Sequence, residues 1–277
     1  ADVLAHAGGG IPCAFQSFAP HGGWHEGPMY WQYVAEYSHA VIEALTTTYG
    51  HDHGLSESPG YNETALFRLH INGPSQNPFD FGDSQPTLNN SAAYSFMGYG
   101  RIATTAPDLA ALFSYEGRRQ ATLVAGFNDT EFNCSKILCA TLLVEYSNAG
   151  SHELLAQQPT AKAFPMSAFD WGNRTAVGFI RSGWSSEASG VHGKEAWIGF
   201  KAANGVPNHN DVDGGTFVFE VGGQRWAMDL GSDSYNLPGY WTQTASKRYS
   251  WYRKSTAGHN TLTFNNDEQN WSACDQD

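Results

Sequence analysis

Between Asn208 and Tyr240 the chain reads NHNDVDGGTFVFEVGGQRWAMDLGSDSYNLPGY, the stretch that most narrows what it can fold into. Thr216, Val218 and Glu220 alternate with Phe217, Phe219 and Val221, the period-two pattern of a half-buried strand. Gly222-Gly223 follows, and a type I′ turn needs positive φ at both central residues, so a hairpin is predicted. Arg225 to Leu230 forms its returning strand. Just before the hairpin, His209, Asp211 and Asp213 recur at every second position, on one face if the segment is extended. Asp229 falls near the end of the returning strand. His259 precedes another β-like run, Thr261 to Phe264. Two carboxylates and an imidazole at neighbouring strand ends suit a metal ion.

The N-terminal part has a different period. Residues 1 to about 25 read as a loop-rich lead-in, with Gly8-Gly9-Gly10 and Ile11-Pro12. Tyr30, Val34, Tyr37, Val41 and Leu45 then fall on one face of a helix starting near Gly27 and capped by Gly50. Pro28 suits its first turn. Shorter helices are predicted for Tyr61 to His70, Ser91 to Tyr99 and Pro107 to Tyr115. From about Arg119 the pattern becomes β-rich: Ala121 to Phe127, Cys139 to Tyr146, Ala176 to Ser182 and Ala196 to Lys201. The fold class is therefore α+β and multidomain. A helical part covers 1–118 and an antiparallel β part 119–277, with the boundary near residue 118.

A net charge of −12 argues against a nucleic-acid binder. No run of 18 or more apolar residues occurs, so no membrane span is expected. The N-terminus has no signal-peptide pattern and opens mid-pattern, as a piece of a longer precursor would. Four cysteines, Cys13, Cys134, Cys139 and Cys274, form no CxxC pair. Cys134 and Cys139 are close enough to bridge a tight turn, which sequence does not decide. Six Asn-x-Ser/Thr sequons point to a secreted or periplasmic protein. Lys247-Arg248 and Arg253-Lys254 make a local basic patch, read either as a substrate contact or as a solvated loop. His51 and His53 read as surface residues, and Asp213 as a structural group bonding the turn into the strand.

HNDVDGGTF, RWAMDLGSDSYNLPGYW and GHNTLTF, in that order, resemble the C-terminal β-domain of the heparinase II/III-like polysaccharide lyases. Gly-Gly-Trp-x-Glu-Gly-Pro-x-Tyr-Trp-x-Tyr, Gly22 to Tyr33, resembles the last part of that family's α/α toroid. The resemblance implies the C-terminal part of a toroid followed by an antiparallel β-sandwich, incomplete at its end. It implies Tyr30 and His209 as catalytic residues facing each other across an interdomain cleft. It implies Asp211, Asp229 and His259 as ligands of a structural metal. Zinc is expected; manganese or calcium would also suit these donors. Many family members have His at the Asp211 position. Trp24, Glu26 and Arg248 are read as substrate-side groups.

The implied reaction is β-elimination in a uronic-acid-containing, anionic polysaccharide, with Tyr30 and His209 as acid and base. A uronyl C5-epimerase and a non-catalytic glycan-binding protein are the alternatives, and a homodimer is among the partner expectations. The family's carboxylate-neutralising Asn and His precede the Tyr by some fifty residues, before this chain begins. On this reading the chain alone is not a competent enzyme.

Overall fold

The computed structural model describes residues 2–75, 77–86, 167–170, 176–183, 195–202, 209–242 and 247–269. The helices expected over Ser91–Tyr99 and Pro107–Tyr115, the runs at Ala121–Phe127 and Cys139–Tyr146, the boundary near 118 and the Cys134–Cys139 pair lie outside these residues. Among the described residues, one compact unit takes in Ala1–Gly22 and Gln32–Leu69. The second takes in Gly23–Trp31, His70–Leu88 and Met166–Asp277.

Helix α1 runs over Asp2–Phe15, which corrects the expected loop-rich lead-in. The three glycines and Pro12 lower helix propensity without preventing a helix where tertiary context favours one. Its last residue, Phe15, packs with Phe18 and Tyr61, at centroid separations of 6.0 and 5.0 Å. Helix α2, Pro28–Tyr49, starts and stops where the proline and Gly50 imply. Its buried face differs from the expected one: Trp31, Ser38, His39 and Ile42 are buried, while Tyr37 is 70% exposed. Both stripes fit a 3.6-residue period, and the predicted one favoured tyrosines, whose hydroxyls tolerate water. Helix α3 is Thr64–Ile71. No helix among the described residues is long and apolar enough to cross a membrane.

Among its described residues the second unit has an antiparallel meander of five strands in order β1-β2-β3-β4-β5. These are β1 Ser167–Asp170, β2 Val177–Arg181, β3 Trp197–Lys201, β4 Phe217–Val221 and β5 Gln224–Ala227. The predicted hairpin joins β4 to β5, and Gly222 and Gly223 take φ of 63° and 78°. The expected strand at Thr261–Phe264 is absent; only an isolated bridge, Phe264 to Asp267, forms there.

The inward face of the sheet mixes apolar and charged side chains. Val177, Phe179, Trp197 and Val218 are buried there, and so are Arg181, Lys201 and Glu220. Burying a charge is costly unless it is paired and hydrogen-bonded. Here Arg181 and Glu220 have partners on the segment after α3, and Lys201 pairs with Asp213 at 2.6 Å. Arg181 donates to the Asn72 carbonyl (2.8 Å), and the Trp197 indole N–H to the His70 carbonyl (3.0 Å). Glu220 accepts from the Ser75 amide and hydroxyl and from Arg225, which also donates to the carbonyls of Asn77 and Pro78. Residues 70–81 are thereby tied across the sheet, with Phe79 and Phe81 fully buried. The chain then arrives at Gly82-Asp83-Ser84, where the functional groups converge.

Candidate functional site

Gly82 sets the approach. Its φ is 71°, and a Cβ there would lie 2.9 Å from the His209 carbonyl oxygen and 3.1 Å from that of Glu26. Only a residue without a side chain passes between those two backbones without strain. The next residues use the position gained. The Ser84 hydroxyl accepts from the Met29 amide in the first turn of α2 (3.3 Å), where helix amides lack partners. The Ser84 carbonyl accepts from the Ser232 amide (2.8 Å). Helix start, sheet segment and the loop after β5 are thus fixed at one point.

Around it, the imidazole of His209 stacks on the ring of Tyr30, 3.7 Å between centroids and 20° from parallel. His209 Nδ1 lies 3.2 Å from Asp83 Oδ2, and its Nε2 lies 3.8 Å from Glu26 Oε1. The other Glu26 oxygen accepts from the Trp24 indole N–H at 3.3 Å. The hydroxyls of Tyr30 and Tyr235 are 2.7 Å apart. Burial, then the bond to Tyr30 and the charge of Asp83, hold Tyr235 well above the ordinary phenol range, so it stays protonated. Trp241 meets His209 edge-on at 5.4 Å and is 46% exposed.

Beneath lies a buried charge network. Asp83 accepts from Arg248 Nη2 (2.9 Å), lies 2.9 Å from Lys254 Nζ, and takes a short hydrogen bond from the Tyr240 hydroxyl. Burial raises its pKa, but the bond from His209 and the charges of Lys254 and Arg248 outweigh that and hold it at about 2. Lys254 also donates to Asp211 (3.0 Å) and to the Gly82 carbonyl (3.1 Å). Arg248, read as a substrate-side group, is 1% exposed, with its donors directed at Asp83 and the carbonyls of Asn210 and Tyr240. The basic patch is neither a substrate face nor a solvated loop at Arg248 and Lys254, both of which are interior.

Asp213, Asp229 and His259 form a third cluster, all buried, with candidate ligand atoms within 4.8 Å of one another. The expected set has Asp211 where this group has Asp213. The His259 Nε2 and Asp213 Oδ2 atoms are buried without a hydrogen-bond partner, as a metal's donors would be before it binds. Asp211 is instead held by Lys254, although its Oδ2 lies 3.8 Å from His259 Nε2. Lys201 offsets part of the group's charge, 2.6 Å from Asp213 Oδ1. One imidazole and two carboxylates fit a first-row divalent ion.

Comparison with known proteins agrees with the sequence motifs. The family profile described as "Heparinase II/III-like, C-terminal" matches residues 194–274. Those residues form a heparinase II/III-like C-terminal domain. A structure of heparinase III, the BT4657 gene product, superposes with a TM-score of 0.52 at 15% identity, over 89% of this chain and 30% of that one. A heparan sulfate lyase HepC from Pedobacter heparinus gives a TM-score of 0.49 at 19% identity, over 84% of this chain and 29% of that one. The chain therefore spans about a third of the length of the solved structures it matches. No curated protein sequence matches it.

Within this heparinase-like domain, the 3-10 turns Arg248–Ser250 and Tyr252–Lys254 carry Arg248 and Lys254, while Asp213 lies before β4, Asp229 just after β5 and His259 just after the 3-10 turn Thr256–Gly258. Asn260 explains how the last turn is held: its amide donates to the carbonyls of Phe217 and Met228. Tyr30, Glu26 and Trp24 belong to the same compact unit as the domain, at the start of α2. Sequence reading did not find Asp83, Tyr235 or Trp241, and it read Lys254 only as part of the basic patch. The one signal available for Asp83 was an acid directly after glycine in the aromatic stretch FDFGDS.

Proposed function

We propose that the protein containing this chain is a polysaccharide lyase that cleaves a uronic-acid-containing polymer by β-elimination. The observation that carries this is the stack of Tyr30 and His209, two proton-transfer side chains in contact. In the reaction a base takes the C5 proton, which the adjacent carboxyl makes acidic. The electron pair forms the C4–C5 double bond, the bond from C4 to the glycosidic oxygen breaks, and that oxygen takes a proton. His209 Nε2 is the base and the Tyr30 hydroxyl supplies the proton to the leaving oxygen. Tyr235, protonated throughout, donates to the Tyr30 oxygen once it has lost its proton. Glu26 and Trp24 line the substrate side, and Trp241 offers an exposed ring face suited to the C–H face of a sugar.

The helices are read as part of an α/α toroid and the sheet as one layer of a β-sandwich, divided near residue 118. Arg248 and Lys254 are committed to Asp83, so the group that neutralises the uronate carboxylate comes from elsewhere in the protein. The Asp213–Asp229–His259 group would hold a metal, with zinc as the proposed ion. Such an ion would supply a fixed positive charge that ties the ends of the 209–213 segment, β5 and the last 3-10 turn together.

A screen of uronate polymers for new unsaturated ends, read by ultraviolet absorbance, tests the reading. Absorbance appearing with at least one polymer supports it. Exchange at C5 without any unsaturated product would show an epimerase, and binding without either would show a glycan-binding protein.

A further inference from the structure

We propose that Asp83 is a positioning residue for His209: its carboxylate, clamped by Arg248, Lys254 and Tyr240, keeps the imidazole proton on Nδ1 and leaves Nε2 to exchange protons with substrate. The choice of Nε2 as the reacting nitrogen rests on the lyase reading above; the location of the proton does not.

The geometry is specific. The Asp83 side chain is fully buried, as are those of Arg248 (1%) and Lys254 (0%). Oδ2 faces both His209 Nδ1 (3.2 Å) and Arg248 Nη2 (2.9 Å). Oδ1 faces Lys254 Nζ (2.9 Å) and accepts from the Tyr240 hydroxyl. Arg248 stacks in turn over the Tyr240 ring, 4.4 Å from its centroid. A carboxylate in contact with two buried cations stays ionised, and an ionised carboxylate only accepts hydrogen bonds. The His209 contact is therefore satisfied by a hydrogen on Nδ1. A neutral imidazole then carries its lone pair on Nε2.

The remaining neighbours agree. Glu26 Oε1 is 3.8 Å from Nε2, beyond direct hydrogen-bonding distance, so it leaves that nitrogen accessible. Tyr30 covers one ring face and Trp241 meets the ring edge-on. Among the described residues, Asp83, Glu26, Tyr30 and Trp241 face the imidazole. Buried ion pairs add little net stability because desolvation offsets their attraction. Arranging two cations and a phenol on one acid fixes its direction, and with it the direction of His209. Asp211 completes the clamp by holding Lys254 at 3.0 Å.

The test is nitrogen-15 NMR of the histidine rings in uniformly labelled protein, with His209→Gln used to assign the signal. At a pH where the His209 ring is neutral, the expected spectrum shows a protonated Nδ1 and an unprotonated Nε2. Asp83→Asn, whose amide can donate to Nδ1, is expected to move the proton to Nε2. It is also expected to lower kcat about 10²–10⁴-fold with KM little changed. A wild-type spectrum with the proton on Nε2, or an Asp83→Asn spectrum identical to wild type, overturns the proposal. Should Asp83→Asn fail to fold, the wild-type spectrum decides alone. The spectrum needs no turnover, so absence of lyase activity defeats the function reading without touching the tautomer.

Discussion

The imidazole of His209 lies against the phenol ring of Tyr30 with 3.7 Å between centroids, although one belongs to the start of α2 and the other to the approach to β4. Such contact places two titratable groups within reach of one sugar ring. It also means that each shapes the other's environment. Tyr30→Phe and His209→Ala are each expected to cut kcat about 10²–10⁴-fold. Combining them is expected to cost little more than the worse single change, because residues acting as a unit are non-additive. Rates of unsaturated-product formation by the three variants check this.

Trp241→Ala is expected to raise KM roughly tenfold while changing kcat less, since stacking on a sugar contributes about 1 kcal/mol or somewhat more. Steady-state kinetics on a long uronate polymer separates the two constants. A fall in kcat at constant KM would show that the ring supports His209 instead of binding substrate.

Elemental analysis of purified protein is expected to find a divalent metal that is lost in Asp213→Ala and His259→Ala. Asp211→Ala is expected to retain it, because Asp211 serves Lys254. Loss of metal in Asp211→Ala with retention in Asp213→Ala would restore the ligand set implied by the family motif.

Glu220 illustrates what sequence alone conveyed and what it did not. Its place in a period-two strand ending in Gly222-Gly223 was legible, because alternation and turn chemistry are local. Which face turned inward was not. The apolar Phe217 and Val221 are the exposed pair, 39% and 36%, while Thr216 and Glu220 are buried. Arg225 and Ser75 make that orientation tolerable, and the Ser75 contact is a long-range one. Tyr30, His209, Asp229 and His259 were legible through motif spacing. Asp83, Lys254 and the exchange of Asp211 for Asp213 were not, since a charged residue in a loop-like segment carries no mark of burial. Helix α1 was missed because its glycines and proline are breakers by local rule and are overruled by packing around Phe15.

Removing the Glu220 carboxylate leaves Arg225 with the Trp197 ring, the carbonyls of Asn77 and Pro78, and Asp80 at 3.8 Å, but without its hydrogen-bonded acid. Glu220→Ala is expected to cost about 3–5 kcal/mol of stability. Denaturant unfolding with an unchanged m-value checks it. A loss below about 1 kcal/mol would show the pair to be surface-like.

His70 gives the fold an acid limit. Burial, and then the nearby charge of Arg181, hold its pKa down to about 3 from an ordinary 6.5. The folded ring therefore stays neutral where the unfolded ring takes a proton. Stability from this group is complete above pH 6.5 and is lost progressively as pH falls toward 3. His70→Phe is expected to flatten that part of the stability profile by a few kcal/mol. An unchanged slope between those limits would place the titration elsewhere.

In the proposed reaction His209 takes the C5 proton of a uronate and Tyr30 protonates the leaving oxygen. The direct measurement is the rate of unsaturated-product formation from a uronate polymer deuterated at C5, compared with its protium form, in wild type, Tyr30→Phe and His209→Ala. The wild-type rate is expected to fall on deuteration, and both variants are expected to lose nearly all product. Product formed by either variant at the wild-type rate, or no unsaturated product from any uronate polymer, would contradict it.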